Sequence, residues 1–265
     1  PASNILHGLA GRQGFGVKTF QAEDEIAAIC CSLGAAFVGD LAVTASSGPG
    51  IALKGEALGL AIMTELPLVI INVQRGGPST GLPTKTEQSD LFQAIYGRNG
   101  EAPLAIVAAS SPSDCFDSTF EACRIALEHM IPVILLTDGY IANGSEPWKI
   151  PSLKKLPKIK NNLVTESEDK FYPYKRDPKT MARPWAIPGV PNLEHRVGGL
   201  EKEDQTGNVS YDSINHQNMT DIRQKKIDAI AESIPFIEPY GDKSGSLLLV
   251  SWGGTYGSVR SAADK

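Results

Sequence analysis

Two runs of almost uninterrupted apolar residues most constrain what this chain can fold into. They are PLVIINV (67–73) and PVILLTD (132–138). A strand with one face in solvent alternates apolar and polar residues, whereas a continuous apolar run is typical of a strand that a parallel sheet buries on both faces. LAVTA (41–45) and PLAIVAA (103–109) are further strand candidates. Helical stretches separate these runs, so the sequence predicts a doubly wound parallel α/β domain.

Helices are predicted before and between the strands. One apolar helix leads up to Phe37, and others are expected at Gly50 to Met63, around Asp90 to Tyr96, and from about Pro112 to His129. The last of these has Ser113 and Asp114 at its start, which are residue types that commonly cap a helix N-terminus.

The chain divides into three parts. Residues 1–146 form the domain just described. Residues 147–243 form an extended connection in which periodicity fades, with one polar helix around Asn215 to Ala231. The connection is too long for an ordinary loop and is expected to wrap over a neighbouring surface. Residues 244–265 are expected to start a second α/β domain with the strand LLLVSW (247–252). Because the chain begins at Pro1 and stops within a helical stretch, we expect a piece of a longer protein.

Composition excludes several classes of function. The net charge of -5 and the pI near 5.5 argue against nucleic-acid or anionic-membrane partners, because both select basic patches. No apolar run reaches transmembrane length. The four cysteines, Cys30, Cys31, Cys115 and Cys123, have the spacing of neither a disulfide framework nor a metal or iron–sulfur site. A cytoplasmic location and no metal site on this chain are therefore expected.

Three consecutive acidic residues, Glu23, Asp24 and Glu25, stand at the head of the first apolar helix. Local pattern alone favours a structural role, because acidic side chains interact favourably with the positive end of a helix macrodipole. A carboxylate at the start of a buried helix is also expected to be half-buried, and neighbouring groups can shift the pKa of such a carboxylate. The residues themselves leave both interpretations open.

Three loops follow predicted strands, at the sheet edge where α/β proteins bind ligands. TASSGPG (44–50) runs through Ser47, Gly48, Pro49 and Gly50 into a helix, which is typical either of a tight turn or of free N–H groups facing a ligand. WGGTYGSV (252–259) is a third glycine-rich turn, and its spacing misses the dinucleotide fingerprint.

The second loop, NVQRGGPSTGLPTKTEQSDL (72–91), is the most specific. Arg75 directly follows the buried strand. An arginine there is often a surface ion-pair member, but its planar fork also suits a carboxylate or phosphate. Gly76 and Gly77 would let a ligand or another backbone come close.

Together these segments resemble a known family. PASN (1–4), QAEDEIAA (21–28), TASSGPG, QRGGPSTGLPTKTEQSDL, ARPWAIPGVPNLEHRVGGLEKED (182–204) and SWGGTYG (251–257) resemble the alpha subunit of 2-oxoacid:ferredoxin oxidoreductases, most closely the 2-oxoglutarate type. The resemblance spans essentially the whole chain. It implies a thiamine diphosphate-binding domain of the pyrimidine type, followed by a second α/β domain of the transketolase C-terminal kind.

The resemblance also implies roles for particular residues. Glu25 would pair with the aminopyrimidine of thiamine diphosphate, because related enzymes have a glycine nine residues after this glutamate and small residues shortly after it. From Glu25 that count reaches Gly34, Ala27 and Ala28. The other implied cofactor-binding residues are Ser47, Gly48, Pro49 and Gly50, and the implied substrate-binding residues are Arg75, Gly76, Gly77, Ser79 and Thr80.

The implied activity needs a partner. The family oxidises and decarboxylates a 2-oxoacid to an acyl-coenzyme A and passes electrons to ferredoxin. This chain has no Gly-Asp-Gly motif for magnesium diphosphate and no cysteine spacing for a cluster. Magnesium and a [4Fe-4S] cluster are therefore expected on a beta subunit in a heterodimer. The alternatives are a pyruvate or branched 2-oxoacid enzyme, and a non-catalytic scaffold or regulatory subunit of the same fold.

Overall fold

The computed structural model describes residues 2–82, 85–166 and 170–265. Its centre is a four-stranded parallel sheet in the order β1-β2-β4-β3. The strands are β1 (Ala42–Ser46), β2 (Leu68–Gln74), β3 (Ala105–Ala108) and β4 (Pro132–Asp138). Every residue of the two central strands, β2 and β4, is buried. These are the two apolar runs, so the predicted parallel α/β sheet is confirmed.

Helices cover both faces of the sheet. They are α1 (Ser3–Ala10), α2 (Glu25–Phe37), α3 (Gly48–Leu53), α4 (Gly55–Thr64), α5 (Leu91–Tyr96), α6 (Asp114–His129), α7 (Gly139–Asn143), α8 (Ser213–Glu232) and α9 (Tyr256–Ala263). Successive side chains of β2 point to opposite faces of the sheet, as in any pleated strand. Leu68 and Ile70 pack with α2 and α4. Val69 and Ile71 pack with α6 and α8.

Two details of the predicted helices need correction. The helix expected from Gly50 to Met63 is two helices, α3 and α4, which meet at Lys54. Ser113 precedes α6, but its side chain makes no capping hydrogen bond. Asp114 instead accepts from the backbone N–H and the hydroxyl of Ser110, both at 2.8 Å, which ties α6 to the end of β3.

The strand predicted at 247–252 is wrong. This run has no strand structure, and Leu247, Leu248 and Val250 are 79%, 76% and 86% exposed. Strand structure requires a neighbouring backbone to pair with, and the part of the chain that the structure describes places no strand beside this run. The assignment of residues 244–265 to a second domain stays a prediction.

The long connection lies over the ends of α2 and α4. Its short strands β5 (Leu163–Val164) and β6 (Trp185–Ala186) pair in parallel. The Trp185 indole is buried and donates to the Ala36 carbonyl at 3.0 Å. The buried Arg183 guanidinium donates to the Thr64 carbonyl at 3.1 Å. Both bonds go to carbonyls in the last turn of a helix, where no N–H four residues further along the helix is available.

One buried carboxylate, Glu65, joins the sheet domain to the connection and to α8. It receives Arg176 from the connection and Lys226 from α8, each at 2.5 Å, and all three side chains are less than 10% exposed. Burial alone would raise the pKa of Glu65, but the positive charges of Lys226 and Arg176 lower it well below its ordinary value. Lys202 lies close by and donates to the Met63 carbonyl at 2.6 Å.

Replacing Glu65 with glutamine should strongly destabilise the fold. The substitution keeps the size of the side chain but leaves the Lys226 charge buried without a counter-charge, and Arg176 keeps only Asp204. Breaking a buried ion pair in this way costs about 3–5 kcal/mol. Urea unfolding, followed by circular dichroism, measures the change in the free energy of unfolding.

Glu121→Gln is the matched control. Glu121 also pairs with an arginine, Arg124, at 2.5 Å, but it is 33% exposed. Partly exposed pairs of this kind contribute less than about 1 kcal/mol. Equal losses for the two variants would contradict the special role of the Glu65 cluster.

Candidate functional site

The candidate site lies at the carboxyl edge of the sheet. In the parallel register, Ser46 of β1 lies beside Asn72 of β2, and Gln74 of β2 lies beside Asp138 of β4. The loops that follow these strands therefore leave the sheet at one edge, which is where open α/β sheets bind ligands. The first two glycine-rich loops begin here.

The three acidic residues before α2 have different surroundings. Asp24 is the N-cap, and its carboxylate accepts from the Ala27 N–H at 2.8 Å, which is the structural role that acidic residues at helix starts commonly have. Glu23 and Asp24 are exposed, whereas Glu25 is half-buried. Glu25 is therefore the carboxylate of the three that turns toward the sheet.

Ser46 and Gly50 enclose the Glu25 side chain. The Ser46 hydroxyl donates to Glu25 Oε1 at 3.3 Å. A methyl group on Gly50 would overlap the Ser46 hydroxyl and lie 2.7 Å from Glu25 Cγ. Only glycine leaves room for the carboxylate at this position. The structure thus brings together Glu25 and Gly50 of the predicted cofactor-binding residues, with the buried Ser47 and the half-buried Gly48 and Pro49 in the same turn.

Asp90 links this turn to the end of β2. Its carboxylate accepts from the Asn72 side-chain amide at 2.9 Å, and its N–H donates to the Gln74 side-chain oxygen at 3.0 Å. A methyl group on Gly48 would lie 3.0 Å from Asp90 Oδ2. The Asn72 side-chain oxygen is buried and has no hydrogen-bond partner among the described residues, so it is free to accept from a ligand.

Arg75 leaves the end of β2 half-buried, with its Nε enclosed and without a partner among the described residues. The loop after it is folded on itself. The Gly77 N–H donates to the Glu87 carboxylate at 2.8 Å, and the Leu82 N–H donates to the Gly76 carbonyl at 2.9 Å. An enclosed guanidinium nitrogen with no partner is a candidate donor to an anionic ligand.

The other predicted substrate-binding residues differ in exposure. Gly76 is buried under the loop, whereas Gly77, Ser79 and Thr80 are exposed. None of these three has its side chain or backbone enclosed in the way that the Arg75 Nε is. Their role in substrate binding stays a prediction. Residues 83 and 84 of the same motif lie outside the described residues.

The third glycine-rich turn lies against the second loop. The Gln88 side-chain amide donates to the Trp252 carbonyl at 2.7 Å. Gly253 has a φ of 61° and approaches Gln88, and Gly254 approaches the Asp138 carboxylate so closely that a side chain at either position would collide. These glycines permit close backbone approach at the sheet edge, although the turn is not a dinucleotide fingerprint.

Sequence reasoning missed four residues of the site: Ser46, Lys54, Asn72 and Asp90. Ser46 could have been found from the sequence, because Thr44 and Ser46 are hydroxyl residues two positions apart on a strand and therefore face the same side. Lys54 could also have been found, since it is the one charged residue in an otherwise apolar helical stretch, residues 50–55. No sequence pattern points to Asn72 and Asp90, because only the fold brings them together.

The described part of the chain contains neither a cluster of metal-ligand residues nor a helix that could span a membrane. Within residues 2–82, 85–166 and 170–265, no three histidine, cysteine, aspartate or glutamate residues cluster as metal ligands would. None of the helices in those ranges combines the length and the apolar character that a membrane span requires.

Comparison with known proteins identifies the family. The sequence model of the family described as pyruvate flavodoxin/ferredoxin oxidoreductase, thiamine diphosphate-binding, matches residues 1–213. The chain belongs to this family. It is 58% identical over 265 residues to 2-oxoglutarate oxidoreductase subunit KorA of Mycobacterium tuberculosis, a match covering 99% of this chain and 40% of that relative. The resemblance seen in the sequence is thereby confirmed.

A distant relative and a solved structure agree. The chain is 35% identical over 249 residues to 2-oxoacid:ferredoxin oxidoreductase 1, subunit alpha, of Sulfurisphaera tokodaii, which covers 92% of this chain and 39% of the relative. It is 36% identical to 2-oxoglutarate:ferredoxin oxidoreductase from Magnetococcus marinus with 2-oxoglutarate, coenzyme A and succinyl-CoA bound, with a TM-score of 0.88 over 96% of this chain and 44% of that one. The chain spans about two fifths of the length of the curated relatives it matches.

The residues at the sheet edge fit the ring end of a thiamine cofactor. Among the described residues, the Glu25 carboxylate accepts one side-chain hydrogen bond, the 3.3 Å bond from Ser46. Its remaining acceptor capacity is available to the N–H groups of a protonated aminopyrimidine.

Substitution of Gly50 by alanine tests the packing of this site. The added methyl group must displace the Ser46 hydroxyl or the Glu25 side chain, and overpacking of this kind costs about 1–3 kcal/mol. Gly59→Ala is the matched control, because a methyl group there meets nothing within 4 Å. Gly59 lies within α4, so alanine should stabilise that variant by about 0.5–1 kcal/mol. Thermal unfolding that ranks the two variants in the opposite order would refute this packing.

Proposed function

We propose that this chain is the pyrimidine-side part of the alpha subunit of a 2-oxoacid:ferredoxin oxidoreductase. Its substrate would be 2-oxoglutarate, converted with coenzyme A to an acyl-coenzyme A while electrons pass to ferredoxin. The observation that carries the proposal is the half-buried Glu25 between Ser46 and Gly50, in a chain whose family binds thiamine diphosphate. The high identity to the KorA subunit supports 2-oxoglutarate as the substrate.

Glu25 is the proposed proton-handling residue. Thiamine diphosphate, when bound, supplies a carbon nucleophile and an electron sink for the decarboxylation of the 2-oxoacid. Glu25 would hold the proton of the pyrimidine ring nitrogen, and the Ser46 hydroxyl would orient its carboxylate. Gly50 would leave room for the Glu25 side chain and Gly48 for the Asp90 carboxylate, so that both keep their places beside the cofactor. Ser47 and Pro49 would shape the turn, because Pro49 lies in the first turn of α3.

Arg75 is the proposed anion-binding residue. Its enclosed Nε lacks a partner among the described residues, and its guanidinium could bind the carboxylate of the 2-oxoacid or an anionic part of coenzyme A in a bidentate manner. Gly77 would give the ligand room, and Gly76 would let the loop pack closely beside it. Ser79 and Thr80 are exposed and would contact the ligand only after the loop closes over it.

The proposal includes a partner chain. A beta subunit would supply the magnesium diphosphate site and a [4Fe-4S] cluster, and ferredoxin would take the electrons. Residues 244–265 would lead into a second α/β domain of the same alpha subunit. The two-subunit enzyme would work in the cytoplasm. Purification of the complete complex, followed by thiamine, iron and substrate analysis, tests each of these parts.

Two other functions remain as outcomes of that test. Pyruvate or a branched 2-oxoacid would replace 2-oxoglutarate if the complex turned these over faster, since the relatives include enzymes described only as acting on 2-oxoacids. A scaffold or regulatory subunit would contain no thiamine. The enclosed Arg75 Nε favours the enzyme, because a buried donor without a partner among the described residues, at a ligand-binding sheet edge, needs an explanation that a scaffold does not supply.

Glu25→Gln should reduce turnover of the complete enzyme by roughly 10²–10⁴-fold, the usual contribution of a general acid–base group. The amide keeps the size of the carboxylate but cannot hold the pyrimidine proton in the same way. Steady-state kinetics with 2-oxoglutarate, coenzyme A and ferredoxin measures the change.

Glu23→Gln is the matched control, because Glu23 is exposed two residues away in the same acidic run. It should retain nearly full turnover. A loss confined to Glu23→Gln would move the role to that residue, and full activity in both variants would end the thiamine interpretation of α2.

Arg75→Lys should weaken substrate use while leaving thiamine binding intact. Lysine keeps the charge but loses the planar fork, and losing one hydrogen bond to a charged group lowers kcat/KM roughly 10–100-fold. Kinetics across 2-oxoacids and coenzyme A concentrations will show which ligand is affected. Arg12→Lys, at an exposed position, is the control for exchanging an arginine for a lysine elsewhere in the chain. A kinetically silent Arg75→Lys would show that Arg75 does not bind either ligand.

A further inference from the structure

Lys54 is a buried lysine whose role the proposed function leaves unexplained. It lies between α3 and α4 and is 1% exposed. Lysine is almost never fully buried unless it is paired. Lys54 belongs to no ion pair within the described ranges of the chain, and its ammonium donates instead to two neutral oxygens. These are the Glu25 main-chain carbonyl at 3.0 Å and the Thr44 hydroxyl at 3.1 Å.

The spacing of four residues explains why Lys54 reaches Glu25. Thr44 and Ser46 are alternate residues of β1 and face the same side. Gly50 and Lys54 are four residues apart, and the Lys54 N–H still bonds to the Gly50 carbonyl at 3.2 Å as in a helix, so they also share a face. Strand β1 therefore places Thr44 and Ser46 against the start of α2, and the turn of α3 places Gly50 and Lys54 there.

The two pairs hold different parts of Glu25. Ser46 and Gly50 contact its side chain, with a Ser46 hydrogen bond of 3.3 Å and the bare Gly50 backbone. Thr44 and Lys54 hold its carbonyl. The exposed Asp24 caps α2 from within the helix itself, by accepting from the Ala27 N–H. Lys54 is therefore the buried connection between the backbone of Glu25 and β1.

Charge adds to this geometry. Burial lowers the pKa of Lys54, whereas the negative charges of Glu25 and Asp24 oppose that shift. The titratable and charged groups that face the ammonium are thus the acidic residues at the head of α2, with Cys30 from the next turn. The positive charge of Lys54 therefore attracts the acidic start of α2 toward the sheet.

We infer that Lys54 is a positioning residue that sets the depth and direction of the Glu25 carboxylate through the Glu25 backbone. This inference rests on the proposed function of Glu25. Lys54 contacts two neutral oxygens, so exchanging it for an apolar side chain of similar length leaves no opposite charge buried alone but removes two hydrogen bonds from the fold. A merely structural lysine would therefore change the stability of the fold and leave catalysis alone, which separates the two roles.

The test uses Lys54→Met in the complete two-subunit enzyme. A misplacement of about 1 Å at a catalytic group can cost about 10²-fold in rate, so kcat should fall by roughly 10–100-fold while KM for 2-oxoglutarate stays unchanged. Two readouts do not depend on turnover. Calorimetry should show weaker thiamine diphosphate binding, and amide hydrogen exchange in the first turn of α2 should become faster in the cofactor-free protein.

A double-mutant cycle separates the inference from the function on which it rests. If Lys54 acts through Glu25, then Lys54→Met should cost little further activity once Glu25→Gln is present, because effects of residues that act as a unit are not additive. Additive losses, or an unchanged kcat for Lys54→Met, would overturn the inference. A silent Glu25→Gln would overturn the proposed function instead.

Lys202→Met is the matched control for loss of a buried lysine. Lys202 also donates to a main-chain carbonyl, that of Met63 at 2.6 Å, and is 4% exposed. Its ammonium lies over the Tyr174 ring in the Glu65 cluster and reaches the end of α4. This variant should lower the melting temperature and leave kcat and thiamine binding unchanged. A fall in kcat equal to that of Lys54→Met would show a general effect of burying methionine and would overturn the inference.

Discussion

The ion cluster around Glu65 is the interaction on which the arrangement of the chain depends. Its three buried members come from the end of α4, from the connection and from α8, so one carboxylate holds together segments that are 111 and 161 residues apart in sequence. Burying a charge costs much less when an opposite charge and hydrogen bonds compensate it, as they do for Glu65. The requirement to keep these partners in contact fixes where the otherwise irregular connection can lie.

The polar groups at the carboxyl edge of the sheet are in the opposite situation. There the buried polar atoms of Asn72, Arg75 and Gln88 lack partners among the described residues. At Glu65 both cationic partners contact the carboxylate, although the nearby Tyr174 hydroxyl is buried without a partner among the described residues. Unsatisfied buried groups are costly, and Asn72, Arg75 and Gln88 lie in β2 and the loop that follows it, at the sheet edge where α/β proteins bind ligands.

Prediction succeeded where the signal was local. The apolar runs that became β2 and β4, the acidic head of α2 and the glycine-rich loops were all visible as short patterns. It failed for LLLVSW because strand structure depends on a partner strand, which composition does not supply. It also missed the break at Lys54, since a buried lysine inside a helical pattern is read as an ordinary helix-forming residue.

The amino-acid sequence by itself determined the α/β class, the central strands, the family and the short list of acidic and arginine candidates. These follow from periodicity and from residues close together in the chain. Only the tertiary structure decided that Ser46 and Gly50 enclose the Glu25 side chain, that Lys54 holds its carbonyl, and that Glu65 gathers Arg176 and Lys226. The physical reason is that burial and pairing are properties of residues brought together across long separations, and a charge shows no sign in the sequence of which partner will neutralise it.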